Sequence, residues 1–243
     1  MQSSMKHDNW AGDLPARLLS KFQLFSHFFS SVRKRGVWRT LKISLFEFWY
    51  ELKFGARTAY VIPTRQLDGD SEALRHATDY FPSSYLILHE AFIRGPIDCR
   101  DRILVDYGCG LGRALLFFST LPLKKIIGVE LSPSLASTAA ANLQRYYTKH
   151  KKTGPEWSVI NADARTFAVP DEADLFYFFN PFDASVVGAA VGNIVASVRR
   201  SPRSCTIVYA NPLHAAEMTA RNLTRLAWPS TDFAVFTVAA DIL

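Results

Sequence analysis

With 243 residues, 49% of them hydrophobic, the chain is long enough to bury a proper core and suits one α/β domain with an appendage, or two small domains. Its net charge of +6 belongs to residues 1–60, which hold ten Lys/Arg against four Asp/Glu; residues 61–243 hold 18 of each, which argues against extensive nucleic-acid binding by the main domain. The three cysteines, Cys99, Cys109 and Cys205, are widely spaced and belong to no Cys/His cluster, so neither a zinc site nor a disulfide framework is expected, and no metal ligand set stands out.

Residues 1–12 read as a disordered tip. Apolar residues then recur at 14, 18, 22, 25, 29 and 32, a helical period that Arg33-Lys34-Arg35-Gly36 breaks. Arg17 and Lys21 interrupt this first apolar stretch and no small-residue cleavage site follows, so the expectation is a cytoplasmic chain without a signal peptide. No apolar run approaches the ~20 residues of a membrane span. A second amphipathic stretch puts Trp38, Leu41, Leu45, Phe48/Trp49 and Leu52 on one face. Residues 55–82 are mixed, with PTRQLDGD as a loop, and Ser83-Ser84 can cap a short helix to Arg94.

Beyond the turn GPIDCRD the pattern alternates. Strands are predicted at 102–107, 126–131, 157–162, 174–179 and 205–210, with helices at about 112–120, 133–150 and 184–199 between them. Ser132 followed by Pro133 marks a helix start. A short helix near 213–221 precedes two strands, 223–228 and 233–239. The pattern predicts a doubly wound, mostly parallel sheet with an antiparallel hairpin at its edge.

The stretch ILVDYGCGLGRALLFF carries Asp106, Gly108, Gly110 and Gly112 in a strand-to-helix turn. A dinucleotide fingerprint needs its third glycine where Arg113 stands, and a pyrophosphate would be repelled by Asp106. The spacing suits a ligand without phosphate: backbone lacking Cβ can pass close to a ribose and an amino-acid tail, and Asp106 can accept from an ammonium group. Glu130 ends the second strand, where a carboxylate can accept from both ribose hydroxyls. Asp163, in INADARTF, could accept from an adenine amino group between Ala162 and Ala164, or could cap a helix or a solvated turn. Arg113 sits in the first turn of a helix, against the dipole, and either pairs with a carboxylate or is solvated. Cys109 reads as a small packed residue.

VDYGCGLGR, GVELS and NADA, in this order and spacing, resemble class I S-adenosylmethionine-dependent methyltransferases over about residues 103–211. More narrowly, GCGLGRALL, IIGVELSPSLA and YFFNPF resemble an uncharacterised bacterial methyltransferase family with a basic N-terminal helical segment. The resemblance implies a Rossmann-like seven-stranded sheet, S-adenosyl-L-methionine as cofactor, and cofactor contacts from Asp106, Gly108, Gly110, Gly112, Glu130 and Asp163. It also implies a domain at 61–243 with a helical lead-in to about 100, preceded by the basic aromatic segment 1–60.

Asn180, Pro181 and Phe182 end the fourth strand, where nitrogen methyltransferases of this kind carry a related motif with two prolines. A side-chain carbonyl there can aim a nitrogen lone pair, the proline stiffens the turn, and the aromatic packs on the target. This chain has one proline, and Asn180 could equally cap a turn before the helix at 184. The acceptor is then a protein side chain or a small molecule rather than nucleic acid. Tyr85, His89 and Tyr209 are candidate bases by position only. A non-catalytic nucleoside-binding module acting through its N-terminal segment is the rival reading. Residues 14–54, rich in Phe and Trp interleaved with Arg and Lys, fit either a helical cover over the sheet or peripheral contact with an anionic membrane.

Overall fold

The computed structural model describes residues 36–56, 58–77, 79–151, 153–179 and 182–238. The helix expected at 14–32 lies outside them, as do Asn180 and Pro181. The chain divides into two compact units, Met1–Leu45 and Phe46–Leu243. Helix α1 (Val37–Phe54) begins in the first.

The second unit is built on a seven-stranded sheet of order β3-β2-β1-β4-β5-β7-β6. The strands are β1 (Ile103–Tyr107), β2 (Lys125–Glu130), β3 (Glu156–Asn161), β4 (Leu175–Phe179), β5 (Cys205–Ala210), β6 (Thr224–Arg225) and β7 (Phe233–Val238). The first five are parallel; β7 pairs antiparallel with β5 and with β6. All five predicted strands fall within one residue of their expected ends. The hairpin forms too, though β6 keeps only two residues. The central strand β1 is buried along its whole length because helices cover both faces of the sheet.

The helices follow from their own start signals. In α5 (Pro133–His150) the Ser132 hydroxyl accepts from the Leu135 N–H at 3.3 Å and Pro133 opens the first turn. In α6 (Ala184–Arg200) the cap is Asp183, accepting from the N–H groups of Ser185 and Val186 at 3.0 and 3.1 Å. In α3 (Tyr85–Phe92), Ser84 stands at the cap position but its hydroxyl makes no cap bond, and a Glu47 carboxylate oxygen accepts from the Tyr85 N–H at 2.9 Å instead. The predicted loop at 63–70 contains a 3-10 turn, Thr64–Gln66, and leads to the single helical turn α2 (Ser71–Leu74). The helices α4 (Arg113–Phe118) and α7 (Ala216–Thr219) are both shorter than expected.

Side chains on alternate strand positions enter two cores. Leu104, Ile126 and Val208 pack with α3, α4 and α5; Val105, Ile127 and Ile207 pack with α6 and α7. The last turns of α1 join the first core through Tyr50 and Phe54. The face of α1 that periodicity marked as apolar points the other way: Phe48, Trp49 and Leu52 are 55–66% exposed.

Candidate functional site

The order of strands reverses between β1 and β4, so the carboxyl ends of β1 and β2 border a crevice of the kind where open α/β sheets bind ligands. The glycine loop lies there. Gly108, Gly110 and Gly112 all have positive φ, at 73°, 54° and 79°. The loop is pinned to the neighbouring strand by the N–H groups of Gly108 and Cys109, which donate to the Val129 carbonyl at 2.8 and 3.1 Å. Two glycines are also required by close approach. A Cβ on Gly112 would lie 3.1 Å from the Ala139 backbone, so its absence lets α4 start against α5. A Cβ on Gly110 would lie 2.2 Å from the ring of Tyr80. Cys109 is buried against Gly128, and burial pushes its thiol well up, which agrees with its reading as a packed residue.

The carboxylates meet at this loop. Glu130 is buried; its Oε2 accepts from the Gly110 N–H at 2.8 Å and its Oε1 from the Ser132 N–H at 3.0 Å. Burial raises its pKa, against the pull of these backbone donors. Asp106 is 2% exposed and its Oδ2 has no hydrogen-bond partner among the described residues. Burial first, and the charge of Glu130 second, push it well above the ordinary carboxylate range. Neither carboxylate is in an ion pair with a described residue. A ligand bearing an ammonium group would supply both the missing hydrogen bond to Asp106 and the missing positive charge. The unsatisfied oxygen therefore fits the expected cofactor class.

Asp163 accepts from the Arg165 backbone N–H at 2.8 Å and from its guanidinium at 2.7 and 2.9 Å. It is thus tied to its own turn, and lines an open groove of about 440 Å³ with Gly69, Leu131, Pro133, Asn161 and Ala162. Burial works to raise the Asp163 pKa, but the Arg165 bonds prevail and lower it. Asn161 fixes the groove's wall, donating through Nδ2 to the carbonyls of Glu130 and Leu131 at 2.9 and 2.7 Å.

The lead-in crosses this site closely, which sequence patterns do not report. The ring of Tyr80 lies against Gly110, and its hydroxyl donates to the Thr58 carbonyl at 3.2 Å. Asp68 accepts from both hydroxyls of Ser132 and Ser134. His76 and Asp183 form a 2.7 Å pair. Phe182 is buried, bridges to Ala77, and lines a small pocket with Ala73, His76 and Asp163; it packs in the core, and it borders the groove's end. Arg113 closes the set. Its side chain is 2% exposed and meets Glu47 and Glu51, the latter at 2.6 Å. It also donates to the Ser83 carbonyl and the Thr58 hydroxyl, both at 2.8 Å, with its guanidinium 4.0 Å above the Tyr85 ring. Burial pulls Arg113 down to about 9, still above neutrality, so it remains a cation and pairs with a carboxylate rather than with solvent. Glu47 and Glu51 are the only acids of a basic, aromatic helix and stand four residues apart; that isolation was the available signal for an inward partner.

The candidate bases fare differently. Tyr85 is buried beneath Arg113, and burial pushes its phenol far up. Tyr209, at the end of β5, is raised to about 12 by burial, against the pull of the His214 N–H that it accepts at 3.4 Å. His89 packs edge-on against Phe46 at 5.3 Å.

No protein-family model matches the chain. The chain is similar to the ribosomal protein L11 methyltransferase of Colwellia psychrerythraea, 31% identical over 105 residues that cover 40% of this chain and 34% of that protein. Among solved structures it is similar to a human methyltransferase 10 domain containing protein, at TM-score 0.49 and 14% identity over 81% of this chain and 95% of that one. It is also similar to a TehB-like SAM-dependent methyltransferase from Corynebacterium glutamicum, at TM-score 0.38 and 16% identity over 58% and 80%. The fold is a Rossmann-like, doubly wound and mostly parallel seven-stranded sheet. The chain spans about a third of the length of the curated relative it matches, and the narrower bacterial family has no matching model.

Proposed function

We propose that this protein is an S-adenosyl-L-methionine-dependent methyltransferase with a nitrogen acceptor. The observation that carries the cofactor reading is Asp106: a buried carboxyl oxygen without a partner, beside a second buried carboxylate, at the glycine loop. On this reading Asp106 would accept from the cofactor's ammonium group and Glu130 from its ribose hydroxyls. Gly108, Gly110 and Gly112 would let the backbone approach, and Asp163 would accept from the adenine amino group at the groove where it stands. Once bound, the cofactor supplies a methyl group on a positively charged sulfur, ready for transfer to a nucleophile. The chain's own work is alignment and exclusion of water. On this reading Tyr80 on the lead-in and Phe182 after β4 would wall the site.

The nitrogen acceptor rests on Asn180, Pro181 and Phe182. If the Asn180 carbonyl aims the acceptor nitrogen, Asn180→Ala should cut turnover by a factor of about 10² with cofactor affinity unchanged. Labelled methyl transfer from S-adenosylmethionine into cell lysate, fractionated into protein, small molecules and nucleic acid, tests the function directly. Label in protein or in amine-bearing small molecules supports the reading, whereas label in RNA would move the acceptor to another class. Tight cofactor binding without product in any fraction would favour the non-catalytic module.

A further inference from the structure

Within the unit Phe46–Leu243, the lead-in makes a loop with a neck and a tip. At the neck two strand-like residues exchange backbone bonds: the Tyr80 N–H donates to the Ile62 carbonyl at 2.8 Å, and the Ile62 N–H to the Tyr80 carbonyl at 3.1 Å. Asp79 reinforces the neck, accepting from the Thr64 N–H and hydroxyl at 2.8 and 2.9 Å. Beyond it, residues 63–77 cross the carboxyl edge of the sheet and are tied to the segments after β2 and β4, the strands on either side of β1. Asp68 accepts from the hydroxyls of Ser132 and Ser134 at the start of α5. His76 pairs with Asp183 at 2.7 Å, its carbonyl accepts from the Asp183 N–H at 3.2 Å, and Ala77 bridges to Phe182. Apolar packing adds little, since Ala73 alone among residues 63–77 is buried. A segment held at its tip by exposed polar pairs opens locally at far smaller cost than the sheet beneath it.

We propose that residues 63–77 are a lid that turns on the Ile62–Tyr80 neck and gates exchange of the ligand beneath it. Gly69, Asp70 and Ala73 of this segment form one wall of the 440 Å³ groove, and Leu131, Asn161 and Asp163 form the other. The neck covers the opposite end, where the Tyr80 ring lies against Gly110. On the cofactor reading, which this lid presupposes, a ligand reaching from Asp163 to Asp106 runs under the loop from tip to neck. It enters and leaves when the two latches, Asp68 on the serines and His76 on Asp183, let go. The backbone bonds of the neck then serve as the hinge, and the core of the sheet is undisturbed.

The test compares the full chain with Asp68→Ala/His76→Ala, which removes both latches at side chains outside the core. Calorimetry first establishes binding of S-adenosylhomocysteine, and surface plasmon resonance then reads the two rate constants. A gate predicts that association and dissociation both quicken in the variant, by roughly fivefold or more, while their ratio changes less. A second measurement needs no variant. Arg65 and Arg75 are exposed on the lid, and trypsin cleavage after each should slow by roughly fivefold or more at saturating S-adenosylhomocysteine. Faster dissociation with association unchanged would make the segment a wall and not a gate, and would overturn the proposal. So would unchanged rates in the variant, or equal cleavage of the free and the ligand-bound chain; each of these leaves the cofactor reading standing. A wild-type chain that binds no S-adenosylhomocysteine would remove the cofactor reading, and the lid with it.

Discussion

The glycine loop and the lead-in that crosses it touch at Gly110 and Tyr80, yet they are held by different forces. The loop is fixed by backbone. Its N–H groups bond to Val129 and to Glu130, and its glycines sit where a Cβ would strike Ala139 or Tyr80. The lead-in and the last turns of α1, besides the core contacts of Tyr50 and Phe54, are held by polar side-chain pairs: Glu47 and Glu51 on Arg113, Asp68 on two serine hydroxyls, His76 on Asp183. The backbone bonds to Val129 are insensitive to salt and pH, whereas the bond to the Glu130 carboxylate depends on that side chain. Charge pinning fails one partner at a time. The difference shows which changes disable the site and which merely loosen its cover.

The largest effect is expected at the loop. Gly110→Val places a side chain into the Tyr80 ring and forces a β-branched residue to positive φ. Binding of S-adenosylhomocysteine should be lost by calorimetry. A paired Tyr80→Ala change should relieve the clash and recover stability without recovering binding. Arg113→Ala comes next, on the charge-pinned side. It leaves Glu47 and Glu51, each about a quarter exposed at 25% and 23%, facing a buried gap. A loss of about 3 kcal/mol is expected in urea unfolding, reduced by that partial exposure, and lysine should not rescue a fork that serves four acceptors. If Arg113→Ala unfolds no more easily than wild type, the lead-in is not held by charge.

Glu130→Ala tests the meeting of the two regions. It removes the acceptor for the Gly110 and Ser132 N–H groups together with the proposed ribose contacts, and affinity should drop by roughly tenfold or more with the fold intact. The pH profile sharpens this. Asp106 has a raised pKa in the folded chain, so its contribution to stability is complete below the ordinary aspartate range. That contribution is lost as pH rises through the raised value. A ligand ammonium reverses the preference and favours the ionised carboxyl. Thermal melts with and without S-adenosylhomocysteine should therefore diverge as pH increases. Curves that stay parallel would remove Asp106 from the ligand contacts.

The smallest effect belongs to the rim. His76 and Asp183 are 37% and 44% exposed, and His76→Ala should cost less than about 1 kcal/mol. Burial works to raise the Asp183 pKa, but bonds from Ser185, His76 and Val186 prevail and bring it down to about 2. Its stabilisation is present above the ordinary aspartate range and fades as pH falls towards 2, so the variant's deficit should shrink in acid melts. A deficit that grows in acid would contradict the pairing.

The sheet was legible because its signals are local. Each strand is an apolar run bounded by turn residues, and Ser132-Pro133 announces α5 within two residues. The place of the glycines and Glu130 at the strand ends was legible for the same reason, since β1 and β2 are parallel neighbours in register, with Asp106 opposite Gly128. The cover was not. Arg113 is 62 residues from Glu51 and 30 from Ser83, and no periodicity reports a contact of that kind. Which way the apolar face of α1 points stayed open, because apolar spacing identifies an apolar face without saying whether protein covers it. Here two glutamates, not the aromatics, point inward. Ser84 looked like a cap, but the bond to α3 comes from Glu47, 38 residues away.

The account turns on Asp106 as the unsatisfied partner of a cationic cofactor, and Asp106→Asn tests it without changing shape. The full chain and this variant are to be compared by calorimetric titration with S-adenosylhomocysteine and by thermal melting. The account predicts that the variant melts higher when empty, because a buried unpaired carboxyl is gone, yet binds at least roughly tenfold more weakly. Equal affinity in the two proteins, or no binding by the wild type, would contradict it.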